Sequence, residues 1–435
     1  MRKSNWLILK TSISIAGRGL LLFLFRLCYF YIILITDSMK SRLFLVLIGI
    51  AAFFYTDSLY GQNGLNNKNL SESIFEREPN LGTMQVVQLK LGAGQHLYTG
   101  ESLSDILDDG YSSLDIRLGW QSKGYADWQK AWNYPLYGIG FYTGWIGERK
   151  YMGKPGAIYG FFRQPFLNRQ KHHFSWDLAV GLTYDLNPYD PEENPLNDAI
   201  GGRMAVYFTA GVDGNIHLQP NLDVTYGLQV AHFSNGRIET PNYSLNMLGF
   251  NLGVQYYFNS SRRLIEKINP EYKVRSRPLW IDTELKPWKT YYERNIGLAA
   301  GIVQAGMHEE YFGTFSLTAD LYRRYDYIGG VGIGLDLFYD GSMLRELSDA
   351  GEVVDDQWSK VLVGAHVGHR FYIWKFNIDL NLGTYIYKKT DIHKSIFARL
   401  GLKYNLTDHL YTGVALKTQG LSAADWVEWG IGYRL

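Results

Sequence analysis

One cysteine, Cys28, in 435 residues leaves no partner for a disulfide and no thiolate cluster for a metal. Charge of one sign is missing too. Lys and Arg number 43 against 42 Asp and Glu, so there is no basic field and nucleic acid is excluded as a partner. A mean hydropathy of −0.17 excludes a bundle of membrane helices, whose spans would raise the average. Proline is scarce at 12 residues. What is abundant is 33 Tyr, 22 Phe, 12 Trp and 46 Gly, a composition suited to many short strands with aromatic ends.

The N-terminus reads as an address. Two apolar runs, Leu20–Ile35 and Leu43–Phe54, lie near the start. The second follows Met39-Lys40-Ser41-Arg42 and leads to Ser58-Leu59-Tyr60-Gly61, the layout of a secretory signal peptide whose core is too short to span a bilayer. Translation is expected to begin at Met39 with cleavage near Gly61, so that residues 1–61 are an upstream extension plus signal peptide and Cys28 is absent from the exported chain.

From about Met84 the apolar pattern has period two, the mark of strands. Leu222, Val224, Tyr226, Leu228 and Val230 share one face, and Asp223, Thr225, Gly227 and Gln229 the other. About sixteen such segments of roughly 9–13 residues are the length that tilted strands need to cross a hydrocarbon layer. They fall into two halves of eight, residues 62–258 and 291–435, joined by a basic connector, 259–290, with Arg262, Arg263, Lys267, Lys273, Arg275 and Arg277. One face is too polar for a dry core, aromatics gather at strand ends (Tyr256–Phe258, Tyr385–Tyr387), and the chain stops on an alternating strand, Trp426–Leu435. These features predict an all-β, antiparallel transmembrane barrel of the bacterial outer membrane. A single barrel of sixteen strands is expected, with tandem barrels of eight the alternative. With residue 62 on the periplasmic side, the connector is periplasmic as well. The acidic loops Asn187–Asn197 and Asp340–Lys360 read as solvated excursions. A weak echo links Val230–Gly236 to Val414–Gly420, suggesting a duplication whose second copy lacks His and Ser.

One cluster joins a nucleophile, a base and hydrogen-bond donors: His232-Phe233-Ser234-Asn235-Gly236-Arg237, then Pro241-Asn242 and Asn246. His232 and Ser234 are in phase with Leu228 and Val230, and Asn246 is in phase with Leu248 and Phe250, so all three point to the lipid. A bare His-x-Ser would be interface polarity, but a polar trio on a lipid-facing surface costs free energy and needs a reason. Ser–His–Asn supplies one: Ser234 attacks an ester, His232 carries the proton and Asn246 orients the ring. Asn242, Asn235 or the Gly236 N–H would hold the oxyanion.

His-x-Ser-Asn at a strand end followed by Pro-Asn resembles the PagL-type lipid A deacylases, eight-stranded outer-membrane barrels that remove an ester-linked acyl chain from lipid A with Ser, His and Glu on the barrel's outside. The resemblance implies His232 as base, Ser234 as nucleophile and Asn242 at the oxyanion hole. The triad acid departs, since Asn246 stands where that family has Glu. His-x-Ser-Asn-Gly-Arg with Asn at that spacing is also similar to outer-membrane phospholipase A, whose Ser–His–Asn triad is calcium-dependent and dimeric, with an acidic residue where Glu239 stands. The specific match covers only about His232–Asn246, and the second half resembles neither family strongly. The expected function is therefore that of a carboxylic ester hydrolase acting on lipid A of lipopolysaccharide, without a cofactor. A calcium-dependent phospholipase A, with Glu239 on the metal and a homodimer as its assembly, is one alternative. A pore or structural barrel is the other.

Other candidates carry less. His172-His173 is expected to be solvated, and His366 and His369 have opposite parity and cannot share a site. Gly330-Val331-Gly332-Ile333-Gly334 is strand alternation with no helix to open, and His308-Glu309-Glu310 lacks the second His of a zinc-protease helix.

Overall fold

Alternation alone fixes which face of each strand is apolar; the partners of the edges are fixed by register, and a computed structural model supplies them. It describes residues 84–435 except 99, 101, 123, 125, 169–171, 220, 259–284, 307–309, 353–355 and 422. The expected extension, signal peptide and cleavage point lie outside the described residues, as do His308, Glu309 and the six basic residues named in the connector.

Eight antiparallel strands, β1 (Met84–His96), β2 (Tyr111–Gln121), β3 (Leu136–Trp145), β4 (Gly153–Asn168), β5 (His172–Leu186), β6 (Val206–Gln219), β7 (Leu222–Ser234) and β8 (Leu245–Tyr257), form one closed barrel. Eight more, β9 (Tyr291–Gln304), β10 (Tyr311–Arg324), β11 (Gly329–Asp340), β12 (Val361–Ile373), β13 (Phe376–Tyr387), β14 (Ile396–Asn405), β15 (Leu410–Gln419) and β16 (Ala423–Arg434), form a second. The single sixteen-stranded barrel is thereby corrected to two barrels in tandem. The edge of β8 is taken by β1, Val86 opposite Tyr257 and Leu91 opposite Leu252, while β16 returns to β9, Ile431 opposite Leu298. Among the described residues no helix is long and apolar enough to cross a membrane; the crossing elements are strands.

Both barrels are apolar outside and charged within. Leu91, Ile139, Ile158, Phe250 and Leu252 of the first, and Leu298, Phe315, Ile333 and Leu335 of the second, are exposed around the circumference, as lipid contact requires. Inside the first, Lys90 Nζ meets Asp213 at 2.6 Å, Arg117 Nη1 meets Asp177 at 2.6 Å, and Arg163 reaches both carboxylates. In the second, Arg370 donates twice to Asp379, at 2.6 and 2.8 Å, and Arg399 bridges Asp336 and Glu428. Buried charges survive only when paired this fully. The polar lumen foreseen as wetted is thus crossed by ion pairs in both barrels.

The two ends differ. At one lie four long loops (97–110, 187–205, 235–244, 341–360); at the other most connections are only two to four residues long, as at 325–328, 374–375 and 406–409. The acidic loops are folded, not free. Asn194 and Asn197 tie 187–197 to the carbonyls of Tyr151 and Asn187. The loop after β11 carries helix α4 (Met343–Asp349; shorter helices α1 to α3 lie at Ser104–Leu107, Asp127–Ala131 and Arg149–Met152), with Met343 and Leu347 buried. The barrels touch at both ends. Trp132 Nε1 donates to the Tyr372 carbonyl at 2.7 Å at the tight-turn end, and the 235–244 loop meets the second barrel at the other.

Candidate active site

β7 and β8 pair with Val230 opposite Leu248 and His232 opposite Asn246. Asp223 and Thr225 are buried in the lumen and Leu228 is exposed on the outside, so the alternation carries His232, Ser234 and Asn246 to the outer surface. His232 Nδ1 and Asn246 Oδ1 are 2.7 Å apart. An amide oxygen can only accept, so Nδ1 carries the proton and Nε2 keeps its lone pair. Ser234 Oγ accepts from Asn242 Nδ2 at 3.0 Å and from the Gly236 N–H at 3.2 Å. Among the described contacts no hydrogen bond joins His232 to Ser234; such bonds often tighten only around a substrate.

The loop after β7 holds the remaining candidates. Asn242 Oδ1 accepts from the Asn235 N–H at 3.2 Å, which aims its Nδ2 at Ser234. The Asn235 side chain is committed to the turn, donating to the Glu239 carbonyl at 2.8 Å and accepting from the Arg237 N–H at 2.9 Å. Of the three oxyanion candidates, Asn242 and Gly236 therefore face the nucleophile and Asn235 braces the loop. Gly236 and Arg237 both have left-handed backbones, φ +67° and +68°. That conformation is free for glycine and strained for arginine, so Arg237 needs external holding.

The holding comes from the second barrel. Arg237 Nη2 donates to Glu346 Oε1 of α4 at 2.7 Å and to Ser342 Oγ at 3.3 Å. Burial works against the Arg237 charge, but Glu346, Asp425 and Asp340 outweigh it and hold the guanidinium above its ordinary pKa. Glu346 moves the opposite way from a paired carboxylate: burial lifts it, helped by Asp340 and Asp425, over the pull of Arg237. At 2.7 Å the contact has the length of a charge-assisted hydrogen bond.

Among the described residues two groups have the donors a metal would need. His173, His217 and Asp223 meet at the tight-turn end of the first barrel, His217 Nδ1 lying 2.8 Å from Asp223. His173 is thus buried, not solvated as its sequence neighbours suggest; its partners come from β6 and β7, which local sequence does not reveal. Asp340, His393 and Asp425 meet in the second barrel, where the Lys417 ammonium already occupies Asp425. Among the described residues Glu239 joins no such group; its Oε1 accepts from Tyr311 OH at 3.5 Å. His366 lies between Asp320 and Asp336 in the lumen, whereas His369 bonds Tyr325, so the two are separate as their parity requires.

Against known proteins, residues 114–255 match the family model described as lipid A 3-O-deacylase (PagL), and residues 292–435 match that described as acyloxyacyl hydrolase, C-terminal domain. The first match spans the strands that carry Ser234; the second covers the half for which sequence alone offered no family. No curated protein matches the chain. Among solved structures, Neisserial surface protein A shares 11% identity over 40% of this chain and 97% of its own, with a TM-score of 0.29. A triple mutant of the Rhodopseudomonas blastica porin shares 8% over 81% and 100%, with a TM-score of 0.16. Acinetobacter baumannii OccAB1 shares 8% over 81% and 96%, with a TM-score of 0.21.

Proposed function

The chain belongs to the PagL-type lipid A deacylase family, outer-membrane ester hydrolases, and from that premise we propose that it removes an ester-linked acyl chain from lipid A by Ser–His–Asn catalysis on the outside of its first barrel. The observation that carries the mechanism is the outward His232–Asn246 bond of 2.7 Å beside a serine whose Oγ meets two N–H donors. His232 Nε2 takes the Ser234 proton as Oγ attacks the ester carbonyl. Asn242 Nδ2 and the Gly236 N–H, already converging on Oγ, receive the oxyanion that forms on the carbon Oγ attacks, two bonds away. The imidazolium then returns its proton to the departing sugar hydroxyl, and water activated by the same nitrogen releases the fatty acid. The matching family's description names the 3-O ester, and that is the bond we assign to the cut.

The long-loop end carries Ser234, and outer-membrane barrels turn their longer loops outward. This supports a site at the level of the outer leaflet, where lipid A lies and can enter sideways with its acyl chains still in lipid. The test is mass spectrometry of lipid A and glycerophospholipid offered together to the refolded chain, wild type beside Ser234→Ala. Loss of one hydroxyacyl mass from lipid A, abolished by the substitution, is the expected result. Lysophospholipid formed only with calcium would overturn the assignment, and no product from either lipid would leave a structural barrel.

A further inference from the structure

The last two strands of each barrel are equivalent, and so are the residues on them. In the first barrel His232 stands opposite Asn246; in the second the same cross-strand place is held by Leu416 opposite Val427. Two residues beyond His232 and Leu416 come Ser234 and Thr418, and two further on Gly236 and Gly420, both left-handed, at φ +67° and +64°. The second barrel thus carries an apolar version of the first barrel's site. That apolar pair is what the first barrel's loop rests on: a Cβ added at Gly236 would overlap Val427 Cγ2 and come within 3.4 Å of Leu416 Cδ1.

Polar contacts fasten the loop on either side of this seat. Arg237 is bound to Glu346 and Ser342, with Asp425 Oδ1 3.9 Å from Nη1. Its carbonyl accepts from the Gln304 N–H at 3.4 Å, Gln304 Oε1 accepts from the Thr240 N–H at 2.8 Å, and the Thr240 hydroxyl donates to the Gly306 carbonyl. The fastened segment lies between Ser234 and Asn242 and contains both groups aimed at the serine, the Gly236 N–H and, through its far end, the Asn242 amide.

We infer that the second barrel is the positioning half of the active site: its Leu416–Val427 face seats Gly236 while Glu346 holds Arg237, and this clasp sets the two oxyanion donors. Arg237 and Glu346 are positioning residues, acting through the loop and not on the substrate. The inference rests on Ser234 being the nucleophile. Losing one oxyanion donor costs about 100-fold or more in kcat in serine hydrolases, so a loosened loop that misplaces two should lower kcat by at least about tenfold while leaving KM nearly alone.

The test uses the refolded full chain, its barrels checked by heat-modifiable electrophoretic migration. It reads kcat and KM on lipid A together with the rate at which a fluorophosphonate labels Ser234. Glu346→Ala should lower kcat and labelling together by about tenfold or more, Glu346→Gln less, and Arg237→Lys should keep most of both. Gly236→Ala should be severely slowed, and Val427→Ala added to it should recover part of the labelling. Backbone strain at Gly236 would not respond to a residue in the other barrel. Wild-type labelling and kcat in Glu346→Ala, or no recovery from Val427→Ala, would overturn the clasp. Labelling that depends on Glu346 in a wild type that leaves lipid A intact would instead sink the deacylase reading and leave the clasp standing.

Discussion

The two barrels follow one plan to the end of their seventh strands, yet at the matching outward places on the last two strands the first pairs His232 with Asn246 and the second Leu416 with Val427. Both close with eight strands and both fill the lumen with ion pairs, Arg117–Asp177 in one and Arg370–Asp379 in the other. Buried charge is therefore common to both and belongs to the architecture. The difference lies in three outward places, His232, Ser234 and Asn246 against Leu416, Thr418 and Val427. A polar group on the outer side of a strand lacks the ion-pair partners that give luminal charge its structural reason. The comparison teaches that the chemistry of such a barrel should be sought where polarity is costly and not where it is plentiful.

The largest effect expected from that contrast is on turnover. Ser234→Ala should lower deacylation by about 10,000-fold, as removal of a triad nucleophile does, while Thr418→Ala at the matching place should leave it within about twofold. Fatty acid release per minute from purified lipid A measures both. Equal effects from the two substitutions would break the comparison.

Next comes stability, where the barrels should behave alike but independently. Asp379→Ala strands Arg370 and Lys403, which meet that carboxylate at 2.6 and 2.7 Å. Asp177→Ala removes the 2.6 Å partner of Arg117 and leaves Arg163 with Asp213 as its one carboxylate. Breaking a buried pair costs about 3–5 kcal/mol, so each substitution should shift the urea midpoint of its own barrel. Protease-resistant fragments taken along the titration would tell the barrels apart. Joint unfolding of both in either variant would show that they are one cooperative unit.

Much of this was legible in the sequence, and the reason is period two. It placed the strands, put Asp223 and Thr225 inward and Leu228 outward, and brought His232, Ser234 and Asn246 to one surface from positions fourteen residues apart. Closure was not legible, because alternation constrains faces and says nothing of whether β8 pairs with β9 or with β1. Nor were the docked loops. Asp340–Lys360 reads as a solvated acidic stretch until Arg237, 109 residues away from Glu346, is seen to bind it. The same holds for His173, whose neighbours His217 and Asp223 arrive through the register of β5, β6 and β7. Local pattern finds elements and their faces; long-range pairs of charge appear only with the register.

A smaller change sharpens the comparison at the ring-orienting position. Asn246→Val installs the second barrel's residue and removes the acceptor for His232 Nδ1, so turnover should fall about 100-fold. Asn246→Glu keeps an acceptor and adds a charge for the imidazolium, and should match or exceed the wild type. Steady-state rates of the two variants decide it: a complete loss in Asn246→Glu would mean that His232 is held by something other than this bond.

The smallest expected effect concerns calcium. Calcium prefers six to eight oxygen ligands, and among the described residues Glu239 belongs to no group of three or more His, Cys, Asp or Glu ligands. Its carboxylate instead accepts from Tyr311 OH on β10, and its carbonyl accepts from Asn235. Glu239 therefore belongs to the contact between the barrels. Glu239→Ala should change the deacylation rate by no more than about twofold, the scale of one partly exposed hydrogen bond. Millimolar calcium and a chelator should give equal rates in wild type and variant alike. A rate that rises about tenfold with calcium, and loses that rise in Glu239→Ala, would assign the carboxylate to a metal. It would also move the first barrel from the deacylase chemistry to that of a phospholipase, since the same Ser234, His232 and Asn246 would then act on a different lipid.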